Sequence, residues 1–327
     1  MSTKPRVFIT RTIPQPVLES LKPYCDVHIW DADTPPPRPK LLDELAQADG
    51  VMSMLTEQID KEALDAAPKL RVISNFAVGY DNVDVVAATK RGIPVGNTPG
   101  VLSETTADLA FGLLLAAARR IPESRQYVTD GKWETWNPTT LLGTDVYGKT
   151  LGIIGLGRIG YAVAKRAQGF GMKILYHGGS NTDFANAVGA KRMSLEKLLQ
   201  QSDFVSIHVP LNDETQYMIG AEQLAQMKPE AILVNTARGS IVDSDALYEA
   251  LNTGIIGAAA LDVTDPEPIA TDDPLLTLPN CLIVPHIGSA TRETRQRMGE
   301  LAAENLLAGL NGERLPHCVN PKVYKKV

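Results

Sequence analysis

The chain has 327 residues, 44% of them apolar, and a formal net charge of −6 from 38 acidic and 32 basic side chains. That length allows roughly two domains with sizeable cores. The negative, interspersed charge argues against a nucleic-acid patch or an anionic-membrane surface, while leaving room for an anionic small substrate held by one local Arg.

In chain order, Arg6 to Thr10 reads as a strand, Pro16 to Leu21 as a helix and Val27 to Trp30 as a strand. A proline-rich loop from Asp31 to Pro39 precedes a helix at Leu41 to Ala48 and a strand at Gly50 to Met54. A helix at Lys61 to Ala66, a strand at Arg71 to Phe76, a helix at Asp84 to Arg91 and a short strand at Pro94 to Gly96 complete the first series. Such βα alternation predicts a parallel sheet with helices on both faces. A long apolar helix follows, with Ser103 as its N-cap and Arg119 and Arg120 at its end; so apolar a helix must be buried in the chain or against a second subunit.

Near the middle, Leu151-Gly-Ile-Ile-Gly-Leu-Gly-Arg-Ile-Gly160 joins a buried strand (Thr150 to Ile154) to a helix (Tyr161 to Phe170). Glycines alone at Gly155, Gly157 and Gly160 would say little. In this strand–turn–helix context they predict a dinucleotide site, with the pyrophosphate facing the free N–H groups of the helix start. A second alternating series follows, with strands at Lys173–Tyr176, Phe204–His208, Ala231–Asn235, Ala258–Asp262 and Cys281–Val284, and a last helix from Arg292 to Leu310. The economical architecture is α/β: two doubly wound parallel-sheet domains with a cleft between them.

In open parallel sheets, ligands bind beyond the carboxyl ends of the strands. There the chain carries Thr236-Ala-Arg238-Gly239, then Thr264-Asp-Pro-Glu267-Pro268, then Pro285-His286-Ile-Gly-Ser289. An Arg, a Glu and a His suit one reaction, hydride transfer to a carbonyl. His286 can protonate the developing oxyanion, Glu267 can hold the imidazole by its other nitrogen, and Arg238 can fork onto a substrate carboxylate. In the first unit, the N–H groups of Ala77-Val78-Gly79-Tyr80-Asp81 can hold a carboxylate, and Leu55 can line the same cleft.

The three cysteines, Cys25, Cys281 and Cys318, show neither metal-ligand spacing nor a disulfide framework and fit a reducing cytosol. The first residues run into a strand without a signal-peptide pattern, and the apolar run at Leu109 to Ala118 is too short to span a bilayer. The expectation is a cytoplasmic protein without nucleic-acid or membrane partners.

Beyond single motifs, the chain resembles the D-2-hydroxyacid dehydrogenases, and within them the glyoxylate/hydroxypyruvate reductases. The matching segments include Asn75-Phe-Ala-Val-Gly-Tyr-Asp-Asn-Val-Asp84, Asn97-Thr-Pro-Gly-Val-Leu102, Thr105-Thr-Ala-Asp108, Gly152 to Gly160, His208-Val-Pro-Leu211, Asn235-Thr-Ala-Arg-Gly239, Leu261-Asp-Val263 and Pro285-His-Ile-Gly288. The resemblance implies catalysis by Arg238, Glu267 and His286, and substrate contacts at Val78 and Gly79. It implies cofactor contacts at Thr106, Gly155, Gly157, Arg158, Ile159, Gly160, His208, Pro210, Thr236, Ala237, Arg238, Asp262, His286 and Gly288. It also implies a Rossmann-type cofactor domain (102–288) inserted into a flavodoxin-like substrate domain (1–101 and 289–327), and a homodimer in which Trp136 is lent to the partner's active site. The implied reaction is NAD(P)H-dependent reduction of a small 2-oxo acid to the D-2-hydroxy acid. A phosphite or other 2-hydroxyacid dehydrogenase, and a dinucleotide-sensing regulator without turnover, are the alternatives.

The strand Lys173–Tyr176 ends on His177-Gly178-Gly179-Ser180-Asn181-Thr182, with no acid before Asp183. An acid at the strand end would hold the ribose hydroxyls of NAD and repel a 2′-phosphate. Its absence, with Gly178, Gly179 and Ser180 able to bind a phosphate without formal charge, favours NADP while allowing NAD.

Overall fold

The computed structural model describes residues 4–324, and its chain divides into two compact units, 1–102 with 290–327 and 103–289. The first unit starts with β1 (Arg6–Ile9), α1 (Gln15–Leu21), β2 (Asp26–Ile29), α2 (Arg38–Leu45), β3 (Gly50–Ser53), α3 (Lys61–Asp65), β4 (Val72–Asn75), α4 (Val85–Lys90) and β5 (Val95–Gly96). The second holds α5 (Ser103–Ala118), α6 (Ile121–Thr129), β6 (Thr150–Ile154), α7 (Arg158–Gly169), β7 (Lys173–His177), α8 (Thr182–Val188), β8 (Lys191–Arg192), α9 (Leu195–Gln201), β9 (Phe204–Ile207), α10 (Ala221–Ala225), β10 (Ile232–Asn235), α11 (Ser244–Asn252), β11 (Ala258–Leu261) and β12 (Cys281–Ile283). The chain then returns to the first unit through α12 (Arg292–Leu310).

The first unit is a five-stranded sheet in the order β2-β1-β3-β4-β5, paired in parallel throughout. Its order is that of flavodoxin-like folds. β3 and β4 are buried along their whole length, as parallel strands covered on both faces must be. Asp60 and Asp84 start α3 and α4 by accepting the N–H groups of Ala63 and Ala87.

The second unit is a seven-stranded parallel sheet in the order β12-β11-β10-β9-β6-β7-β8, a doubly wound arrangement whose order reverses at β6 and β9. β6 lies inside it between β9 and β7, with Leu151, Ile153 and Ile154 fully buried. Two clusters cover it: α5 and α7 bring Phe111, Leu114, Val163 and Ala167 to one face, and Leu198, Leu199, Leu224 and Leu247 pack on the other. Among the described residues no helix is long and apolar enough to cross a membrane.

Several local features depart from the sequence expectation, among them the short strand β8, which it did not contain, and α2, which starts at Arg38 rather than Leu41. Ser103 is the first residue of α5 rather than its cap. A further helix, α6, follows α5 after a break at Arg120, whose φ is +51°. Pro122 at the start of α6 cannot extend α5 but suits a first helical turn. Finally, α7 begins at Arg158 rather than Tyr161. Gly160 falls in its first turn, where a Cβ would stand 2.3 Å from Gly155 O, so the position takes glycine.

Candidate active site

Pairing register lines up one edge of the seven-stranded sheet. His177 pairs with Ile154, Ile154 with Ile207, Ile207 with Asn235, Asn235 with Leu261, and Leu261 with Ile283. Immediately past this row, on their own connections, stand Gly155 to Gly160, Gly178 to Ser180, His208 to Pro210, Thr236 to Arg238, Asp262 to Glu267, and His286 to Gly288. Residues spread over a hundred positions thus share one sheet edge.

The turn after β6 is shaped by its glycines. Gly155 has φ +96°, and a Cβ on it would lie 2.8 Å from the carbonyl of His208. Gly157 caps α7 without any side-chain bond, and nothing lies within 4 Å of where its Cβ would be. Open space therefore stands before N–H groups that no side chain satisfies, as a pyrophosphate site requires. Thr236 adds a buried hydroxyl with no hydrogen-bond partner among the described residues. The residues present fit a bound dinucleotide.

The β12 loop is built around a buried carboxylate. Asp262, 1% exposed, accepts the N–H of Ile287 at 2.6 Å and that of Gly288 at 2.8 Å. His286 N donates to Asp262 O at 2.9 Å, and this holds His286 at φ +52°, a left-handed conformation uncommon outside glycine. Burial pushes the Asp262 carboxyl above its ordinary value, against the opposing pull of those backbone donors and of His286. Thr106, near the start of α5, would lie 3.3 Å from a Cβ on Gly288, which puts it beside the same loop.

His286 Nδ1 donates to Glu267 Oε1 at 2.6 Å. Such a bond to a carboxylate fixes the ring plane and leaves Nε2 to face a ligand. Both side chains keep part of their surface open, 25% for His286 and 32% for Glu267, so a small molecule can reach the pair. The Asp265–Pro266 and Glu267–Pro268 bonds on either side of Pro266 and Glu267 are cis.

Arg238 stands on the neighbouring β10 turn. Asn235 organises that turn, donating to Arg238 O at 2.8 Å and accepting from Ala237 N at 3.0 Å. The guanidinium donates to Ala237 O at 2.8 Å. Next to it, Gly239 meets the β11 loop directly: a Cβ there would sit 1.9 Å from Thr264 O. Ser240 Oγ donates to Asp265 Oδ2 at 2.6 Å, so the Arg238 turn and the Glu267 loop touch twice. Nothing in the sequence pattern marks Ser240 or Asp265, because a contact between two loops has no periodicity.

His208 follows β9. Its ring lies 2.8 Å from Ser206 Oγ, and burial pushes its pKa down to about 3, so it is neutral at working pH. Gly178 and Gly179 both have positive φ and lead to Asn181, which caps α8 by accepting Asp183 N at 3.0 Å. Pro210 is exposed on the loop beyond His208. Trp136 is 79% exposed, within a stretch between α6 and β6 that forms no helix or strand. Leu55, Val78 and Gly79 belong to the first unit, on the loops after β3 and β4. There the buried Asn82 ties the two loops, donating to Met54 O and Glu57 O at 2.9 Å each, while Asn75 donates to Gly79 O at 2.8 Å. Among the described residues no cluster of His, Cys, Asp and Glu could hold a metal ion.

Residues 111–288 match the family described as D-isomer specific 2-hydroxyacid dehydrogenase, NAD binding domain. The chain is 54% identical over 324 residues to a glyoxylate reductase of Korarchaeum cryptofilum, covering 98% of both chains. It superposes on a Thermus thermophilus protein with a TM-score of 0.91 at 48% identity, covering 96% of this chain and 99% of that one. With the NADPH-dependent glyoxylate/hydroxypyruvate reductase of Sinorhizobium meliloti, solved with NADP and malonate, the TM-score is 0.86 at 32% identity and 99% coverage of each. The chain belongs to the D-isomer specific 2-hydroxyacid dehydrogenases, and is an NAD(P)-dependent oxidoreductase.

Proposed function

We propose that this protein reduces glyoxylate, and hydroxypyruvate as a close second substrate, to the 2-hydroxy acid, with NADPH preferred over NADH. The observation that carries the reading is the 2.6 Å bond between His286 and Glu267 at the sheet edge where the glycine turn opens. The nicotinamide dinucleotide supplies the hydride when bound. Held by the turn after β6 and by Thr236, it would lie along that edge. Arg238 binds the substrate carboxylate by charge and by fork geometry. His286, oriented by Glu267 through Nδ1, delivers a proton from Nε2 to the carbonyl oxygen as charge develops there. Glu267 holds the ring in place for that transfer and does not itself take the proton. In the first unit, Val78, Gly79 and Leu55, on the loops after β4 and β3, are read as substrate contacts.

The NADPH preference rests on the β7 exit, where His177, Gly178, Gly179 and Ser180 precede the first acid, Asp183, whose N–H is already occupied by Asn181. The second unit is read as the cofactor domain and the first as the substrate domain. Ile121, Val128, Trp133, Trp136, Leu142 and Tyr147, all exposed, fall between positions 121 and 147 of the second unit, and we assign these side chains to contact with a second copy of the chain. The test is turnover with glyoxylate and each cofactor: kcat/KM should be higher with NADPH than with NADH, and His286→Gln should lose turnover while still binding NADPH. Tight NADPH binding by the unaltered protein without turnover on any 2-oxo acid would refute the reading.

A further inference from the structure

One carboxylate in the β11 loop belongs to none of the roles above. Asp265 Oδ2 accepts the hydroxyl of Ser240 at 2.6 Å and the phenol of Tyr217 at 3.1 Å. Ser240 stands two positions after Arg238, and Asp265 two positions before Glu267. The Tyr217 N–H in turn donates to Ser240 O at 2.8 Å, so tyrosine, serine and aspartate close a ring of bonds across the two turns. Tyr217 itself has φ +50°, a backbone setting that the ring holds from two sides. Gly239 lets the backbones touch at Thr264, and Ser244 Oγ adds a longer contact to Asp265 O at 3.4 Å.

We propose that Asp265 is a positioning residue: its carboxylate ties the turn that carries Arg238 to the loop that carries Glu267, and so fixes the spacing between the carboxylate anchor and the acid–base pair. The inference rests on the roles given above to Arg238, Glu267 and His286. Its physical content is rigidity. Bonds from hydroxyls to a carboxylate are directional, and these two add a side-chain tie to the backbone contact at Thr264 and the longer Ser244 contact. Removing the tie loosens the two turns against each other. The substrate carboxylate and the carbonyl oxygen are then no longer presented at the distance that both groups require, and displacements of about 1 Å lower rates steeply. A residue that merely stabilised the fold would lower the amount of folded enzyme and leave the KM of what remains unchanged.

The test uses the full-length enzyme with NADPH and glyoxylate, comparing Asp265→Ala, Ser240→Ala, the double variant and Asp265→Asn. Ser240→Ala should raise KM for glyoxylate about 10-fold and lower kcat, the size expected for losing one hydrogen bond to a charged group, and Asp265→Ala, which loses the bonds from both Ser240 and Tyr217, should do at least as much. The double variant should be no worse than the worse single, because both remove the same bond. Asp265→Asn, whose amide oxygen still accepts both hydroxyls, should recover most of the loss. The dissociation constant for NADPH, read by fluorescence, should stay within about twofold, since the glycine turn carries that binding. Effects that multiply in the double variant, or a lowered Tm with KM unchanged, would overturn the proposal. Should Asp265→Ala fail to fold, Ser240→Ala and Asp265→Asn decide it alone. Loss of turnover in the unaltered enzyme would instead refute the activity itself, so the two failures are separable.

Discussion

Replacing Gly239 by alanine tests how closely the Arg238 turn and the Glu267 loop are coupled. The added Cβ would lie 1.9 Å from Thr264 O, 2.0 Å from Thr264 C and 2.6 Å from Asp265 N. All three are backbone atoms, so no side chain can swing aside. Ordinary contact begins near 3.5 Å, so turn and loop must separate by about 1.5 Å. Overpacking of this kind destabilises by about 1–3 kcal/mol, which lowers Tm by about 2–4 °C per kcal/mol in a unit of this size. Activity should suffer more. The His286–Glu267 bond is 2.6 Å long, and a displacement of about 1 Å takes it beyond hydrogen-bond range. A misplacement of that order lowers kcat about 100-fold, equivalent to about 2.7 kcal/mol. Steady-state reduction of glyoxylate at saturating NADPH, paired with calorimetry, reads both quantities. A Gly239→Ala enzyme with kcat within twofold of the parent would show that the Glu267 loop can move without consequence, and the coupling would be wrong.

Two further predictions concern the sheet edges. Asn82→Ala leaves the carbonyls of Met54 and Glu57 without their shared donor, at about 1–3 kcal/mol for a buried group left unpaired; the glyoxylate KM should rise about 10-fold with NADPH affinity unchanged, and an unchanged KM would separate these loops from substrate binding. His208, with its pKa pushed down to about 3, refuses a proton that the unfolded chain accepts below about 6.5. Its penalty is absent above that pH and grows as pH falls toward 3, so native stability should drop by about 1–2 kcal/mol between pH 7 and 5. The Tm of His208→Gln should fall less over that interval, and parallel pH dependences would refute the assignment.

Much of this architecture is legible in the sequence because it is periodic or local. Strand runs such as Ile232–Asn235 are buried on both faces and read as unbroken apolar segments. Arg238, Glu267 and His286 were nameable because strand ends are where open sheets bind ligands. What stayed hidden depends on contacts between loops. The glycine spacing marks the close approach of Gly160 to Gly155 O, but the exact start of α7 at Arg158 leaves no apolar period to read. α6 carries no buried residue, and β8 is two exposed residues long, so neither leaves an apolar pattern. The hold of Asp262 on the His286 loop is likewise invisible, because its partners are backbone N–H groups 25 and 26 positions away.

The β11 connection is the part of the site on which the others depend. It carries three acids within six residues, and each faces a different neighbour. Asp262 holds the backbone of the β12 loop, Asp265 holds the β10 turn, and Glu267 holds the imidazole of His286. Three carboxylates this close repel one another, and the proximity of Glu267 does oppose ionisation of Asp262. The crowding is tolerable because each acid has donors that keep it in place: two amides, two hydroxyls and one ring N–H. The same arithmetic explains the division of labour across the sheet edge. β10 and β12 each supply one cationic or proton-carrying group, and the strand between them supplies the anions that orient both.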